Sequence, residues 1–144
     1  MLVGLPMVTM SDVLTLAMTL PLSHQALVRG RVKFRVGSKV YLSFSRDETL
    51  MGFAFPKEER DWLVGGNPGK FLLPEASDLR YNWVLVRLAS IGDAEMRELV
   101  LDAWRMVVPR RVATAYDLSK GVPTRAKPKS APAKRFEEEV NSLK

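Results

Sequence analysis

The chain has no cysteine, so disulfide frameworks, thiolate nucleophiles and cysteine-ligated metals are all excluded. It has one histidine, His24, which leaves little for imidazole catalysis or metal binding. No run approaches the roughly 18 apolar residues of a membrane span. The opening MLVGLPMVTM has no basic region and no cleavage-site pattern, and Pro6 interrupts it. It reads as an ordinary start to a cytoplasmic protein rather than a signal peptide. There is no P-loop and no GxGxxG. Gly65-Gly66-Asn67-Pro68-Gly69-Lys70 is glycine-rich without Walker spacing, and reads as a helix stop and turn.

What is present is a compact-domain composition: 144 residues, 47% hydrophobic and 26% charged. That is enough apolar material for one core. Net charge is +6, which favours anionic partners such as nucleic acid. Residues 117–144 carry seven Lys/Arg against four Asp/Glu, and residues 1–116 carry fifteen against twelve, so each part is +3.

Three ranges organise the chain: a flexible N-terminus over 1–10, an α+β domain over 11–116, and a disordered tail over 117–144. Ser11 to Leu20 predicts a short helix with Ser11 as N-cap, ended by Pro21. Residues 21–30 read as a loop. Arg31 to Phe55 predicts three strands with turn residues between them. A three-residue loop, Gly37-Ser38-Lys39, would pair Val36 with Val40, Phe34 with Leu42 and Val32 with Phe44. A two-residue turn would put the apolar faces on opposite sides, so one buried face selects the longer loop. A four-residue loop, Arg46 to Thr49, then pairs Phe44 with Met51 and Leu42 with Phe53. The outer face becomes Arg31, Lys33, Arg35, Tyr41, Ser43, Ser45, Leu50, Gly52 and Ala54.

Pro56 with Glu58 and Glu59 predicts another helix start. Residues 66–80 read as irregular. Val84, Val86 and Leu88 alternate with Trp83, Leu85 and Arg87, a further strand. Met96, Leu99, Val100, Ala103, Trp104 and Val107 form one helical stripe. Arg110 and Arg111 after Pro109 read as a cluster at the C-terminal end of that helix. Together these elements predict a two-layer α+β sandwich, an antiparallel sheet with helices on one face.

Ordered segments carry a family resemblance: Phe34-Arg35-Val36-Gly37 with Lys39-Val40, Phe55-Pro56-Lys57-Glu58-Glu59-Arg60, Tyr81-Asn82-Trp83-Val84 with Arg87-Leu88, Glu98-Leu99, Ala103-Trp104 and Val108-Pro109-Arg110-Arg111. Across residues 11–116 the chain resembles the MmcQ/YjbR-like family of small bacterial proteins. The resemblance implies a CyaY-like fold, shared with frataxins, and a double-wing mode of DNA binding. Frataxins hold iron on an acidic ridge of the first helix and adjoining strand. Here that region has only Asp12 and the strand is basic, so no metal and no cofactor are expected.

The candidate interface follows from charge and register. Arg31, Lys33 and Arg35 stand about 6–7 Å apart on one strand, comparable to DNA phosphate spacing. Tyr41 and Ser43 lie beside them, and Lys39 and Arg46 sit in the hairpin loops. Arg110 and Arg111 are further candidates, as are Lys127, Lys129, Lys134 and Arg135 in the tail, where basic residues alternate with Pro, Ala and Ser. The competing explanation is that Lys and Arg merely protect an edge strand from pairing with another chain. The expectation is a non-enzymatic, low-specificity DNA-binding protein. The alternative is an accessory module for a protein partner or a small anionic ligand, with Trp83 as the aromatic to watch.

Overall fold

The computed structural model describes residues 8–121. The first unit, ending at Pro109, contains a helix α1 (Met10–Ala17) and strands β1 (Ser23–Val28), β2 (Arg31–Val36), β3 (Lys39–Phe44) and β4 (Leu50–Ala54). Helix α2 (Lys57–Gly66), β5 (Phe71–Leu72), β6 (Trp83–Arg87) and α3 (Asp93–Arg105) complete it. Helix α4 (Arg110–Ser119) is the described part of the second unit, which starts at Arg110. The fold is α+β: a six-stranded antiparallel sheet in the order β1-β2-β3-β4-β6-β5, with helices.

α1 is capped by Thr9, not by Ser11 as its sequence suggested. The Thr9 hydroxyl accepts from the Asp12 N–H at 3.3 Å, and the Asp12 carboxylate accepts from the Thr9 N–H at 2.9 Å. This reciprocal pair satisfies two backbone donors at once, which a serine cap two residues later would not do. Val8, just before the cap, is already buried. Residues 1–7 of the expected flexible segment lie outside the described residues.

The inner face of the sheet is continuous. Phe34, Leu42, Phe53 and Val84 are cross-strand neighbours, as are Phe44, Met51, Val86 and Phe71. All eight are buried. α3 packs on β3 and β4 with Met96, Val100, Ala103 and Trp104 buried, and α1 packs on α3. The Trp104 indole N–H donates to the Pro21 carbonyl at 2.9 Å, so this ring enters the core with its polar atom satisfied. Each large side chain here contributes roughly 1.5–3 kcal/mol by leaving water.

The segment read as a loop over 21–30 holds β1. It pairs with β2 along its whole length, from Ser23 opposite Val36 to Val28 opposite Arg31. Its turn is Arg29-Gly30, both at positive φ (53° and 78°), as a tight type I′ hairpin requires. SHQALV does not read as a strand because Ser23 and Gln25 occupy core-side positions, so no apolar alternation marks it. Its consequence is direct. β2 is an interior strand, flanked by β1 and β3.

The β2–β3 connection also departs from expectation. Val36 pairs with Lys39, so the turn is two residues, Gly37-Ser38, with Gly37 at φ 62°. Phe34 still faces Leu42, but Arg35 faces Val40, leaving Tyr41 as an extra residue. That β-bulge re-aims side chains on β3. Val40 moves to the outer face, and Tyr41 turns into the core. The β3–β4 register, Phe44 with Met51 and Leu42 with Phe53, is as the sequence indicated.

Candidate nucleic-acid interface

Alternation along β2 puts Arg31, Lys33 and Arg35 opposite the buried Phe34 and Val36. Their cross-strand partners are Val28, Ala26 and His24 on β1, and Ser43 and Val40 on β3. The row through Lys33 continues Ser43, Gly52, Leu85, Leu72. Arg31 is exposed, and Lys33, Arg35, Ser43 and Val40 are half-buried, so this face meets solvent. None of the six strands contains Asp or Glu.

Among the described residues, no ion pair or hydrogen bond engages the side chains of Arg31, Lys33 or Arg35; ion pairs form elsewhere, as at Lys70–Glu95, Arg97–Asp93 and Arg105–Asp102. The Nε of Arg35 is shielded from solvent and has no acceptor. The nearest acids in sequence, Asp47 and Glu48, do not neutralise the row. Asp47 instead builds its own loop. Its carboxylate accepts from the Ser45 hydroxyl (2.7 Å), the Thr49 hydroxyl (2.8 Å) and the Thr49 N–H (3.1 Å). The Ser45 bond and then the Thr49 bonds hold its pKa below the usual carboxylate value.

Arg46 donates through Nη2 to the Arg29 carbonyl at 3.0 Å, tying the β3–β4 loop to the β1–β2 turn. One rim of the sheet therefore gathers Arg29, Arg31 and Arg46. Arg87 sits on the outer parity of β6, opposite Leu50. Sequence reasoning does not single out Arg29 or Arg87. The Arg-Gly turn dipeptide signals the first, and strand parity signals the second.

Other expected members stand elsewhere. Tyr41 is fully buried, with its ring 6.5 Å from that of Phe34 and its hydroxyl 2.6 Å from that of Ser23. Burial pushes its pKa up to about 12, against a smaller lowering from the Ser23 bond. The bulge removes it from the interface. Lys39 pairs with Val36 at the start of β3, on the parity of the core face, so it does not join the outer cations. Arg110 and Arg111 open α4 instead of closing α3, at the helix end where a positive charge is least favoured. Lys127, Lys129, Lys134 and Arg135 lie outside the described residues.

The outer face has an aromatic as well. A Cβ built on Gly52 would lie 2.6 Å from Nε1 of Trp83 and 2.8 Å from two neighbouring ring atoms. These atoms line one edge of the indole, so the Nε1 edge of the ring packs over the glycine. The space above Gly52 is taken by Trp83. The start of β6 is anchored by Arg60 of α2, whose guanidinium donates to the carbonyls of Leu79 (2.7 Å), Tyr81 (3.0 Å) and Trp83 (3.1 Å). Asn82 accepts from the Lys57 N–H at 3.0 Å, joining the same two segments.

Among the described residues, no group of three or more His, Cys, Asp or Glu could hold a metal ion. Nor is any helix long and apolar enough to cross a membrane.

An open antiparallel sheet with a helix-covered apolar face and an acid-free outer face defines the class, an α+β sheet domain. A family model, YjbR, matches residues 18–106, and the chain belongs to that family. The match spans β1 through α3, and so the whole of the sheet. Among solved structures the chain is similar to the Deinococcus radiodurans protein DR2400, a DUF419 protein, at 19% identity and a TM-score of 0.63. That similarity covers 90% of this chain and 99% of the other, and establishes the fold. No curated protein matches the chain.

Proposed function

We propose that this protein is a non-enzymatic, low-specificity DNA-binding protein that meets the phosphate backbone with the outer face of its sheet. One observation carries the reading. Arg31, Lys33 and Arg35 form a row on an interior strand with no charge partner among the described residues. Edge protection explains basic residues on a border strand, but here β1 is the border. Three like charges on one strand, unpaired among the described residues, carry a desolvation and repulsion cost that a polyanion removes. Their spacing, about 6–7 Å, suits successive phosphates. Arg29 and Arg46 extend the row at the rim. Contacts of this kind read charge and backbone, so they carry no base sequence.

The test is a fluorescence-anisotropy titration of the full chain with labelled DNA of mixed sequence. The Arg31→Gln/Lys33→Gln/Arg35→Gln variant is expected to bind at least tenfold more weakly at moderate salt, since every phosphate left unneutralised keeps its counterions. Equal binding by the variant rules the sheet face out.

A further inference from the structure

The cationic row and Trp83 share one face of the sheet. Gly52 has the register that joins them: it neighbours Ser43 on β3, which neighbours Lys33 on β2. The indole resting on Gly52 is therefore two strands from Lys33, about 10 Å at the backbone, a gap that the long Lys33 side chain narrows. The Nε1 edge of the indole covers the Gly52 backbone, and the residue is half-buried. Its N–H has no acceptor among the described residues. Ala54, its paired neighbour on β4, is small, and Leu85 flanks the glycine on β6. The platform is rigidly set, because Arg60 fixes the Trp83 carbonyl and the strand pairing fixes its Cα.

We infer that Trp83, packed over Gly52 on the same face of the sheet as Lys33 and Arg35, is a base-stacking platform, and that the preferred ligand is single-stranded DNA. This rests on the phosphate reading above and deepens it. A duplex keeps its bases stacked on each other, so it can use the cations but not the indole face. An unpaired base has both faces free. A flat aromatic next to an unpaired cationic track is the combination by which single strands are held without sequence preference.

The experiment compares the full chain and its variants against a labelled oligo-dT and a duplex of equal length. The wild type is expected to bind the oligo-dT more tightly, with the intrinsic fluorescence of Trp83 quenched in a Trp62→Phe background. Trp104 is fully buried and will not respond. Trp83→Ala should weaken oligo-dT binding about tenfold while leaving duplex affinity unchanged. Gly52→Ala should do the same by lifting the indole, and Trp83→Phe should restore part of the affinity, which separates stacking from a folding defect. If Trp83→Ala binds oligo-dT like the wild type, or weakens on duplex and single strand alike, the platform is refuted while the cationic row stands. If the wild type binds neither DNA, both readings fall together.

Discussion

The two faces of this sheet are built by the same strands from alternate residues, yet they solve opposite problems. The inner face stacks Phe34, Leu42, Phe53 and Val84 in one row, with Phe44, Met51, Val86 and Phe71 in the next, and α3 lies over β3 and β4. The outer face sets Arg31, Lys33 and Arg35 on an interior strand, Trp83 over Gly52, and no acid in any of the described strands. An inner residue is kept by what it touches. Among the described residues, the cations of β2 have no ion-pair or hydrogen-bond partner that would keep them. The difference teaches that charge on β2 is not explained by folding, because the fold gains nothing by collecting like charges there.

That contrast can be broken by stability measurements. The largest effect belongs to the inner face. Phe53→Ala removes a ring 6.0 Å from Phe55 and 6.4 Å from Phe71. It should cost about 3–5 kcal/mol in urea unfolding. A cost below about 1 kcal/mol would mean that the core does not depend on this row.

Tyr41 sharpens the comparison, since the bulge carries it from one face to the other. Its phenol ionises near 10.0 when unfolded and at about 12 when folded. The folded state therefore favours the neutral form. The stability this supplies is complete below pH 10 and is lost as pH rises toward 12. Tyr41→Phe should cost about 1 kcal/mol at neutral pH by removing the hydrogen bond with Ser23. It should also flatten the alkaline decline in unfolding free energy between pH 10 and 12. An unchanged decline would return Tyr41 to a solvated position.

The smallest effect belongs to the outer face. Lys33→Ala should change stability by no more than about 0.5 kcal/mol. A destabilisation as large as that of Phe53→Ala would show Lys33 to be structural, and the two faces would no longer differ in kind.

Much of this arrangement can be read from residue order, and the failures have physical causes. Strict alternation over Arg31–Val36 gives the parity of β2, and the Phe44–Met51 and Leu42–Phe53 pairs follow from demanding one buried face. The same demand misleads at Gly37-Ser38. A three-residue loop would meet it, whereas the chain meets it with a two-residue turn plus a bulge at Tyr41. A bulge leaves no mark in composition, so the exchange of faces by Val40 and Tyr41 is invisible in the sequence. β1 is hidden because Ser23 and Gln25 sit where a strand pattern needs apolar residues. Phe55-Pro56-Lys57-Glu58-Glu59-Arg60 and Tyr81-Asn82-Trp83 carry the family resemblance as separate strings. Their structural reason is contact: Arg60 and Asn82 sew the two together and fix Trp83. Of the candidate site, Arg31, Lys33, Arg35, Ser43 and Arg46 stay on or beside the outer face, while Tyr41 and Lys39 do not.

The central claim is that Arg31, Lys33 and Arg35 contact phosphates, and the salt dependence of binding counts such contacts directly. For duplex DNA, the slope of log affinity against log salt should be shallower in Arg31→Gln/Lys33→Gln/Arg35→Gln than in the wild type by about 2–3, near 0.9 for each phosphate that the variant leaves unneutralised. Identical slopes for the two proteins would contradict the claim, whatever their absolute affinities.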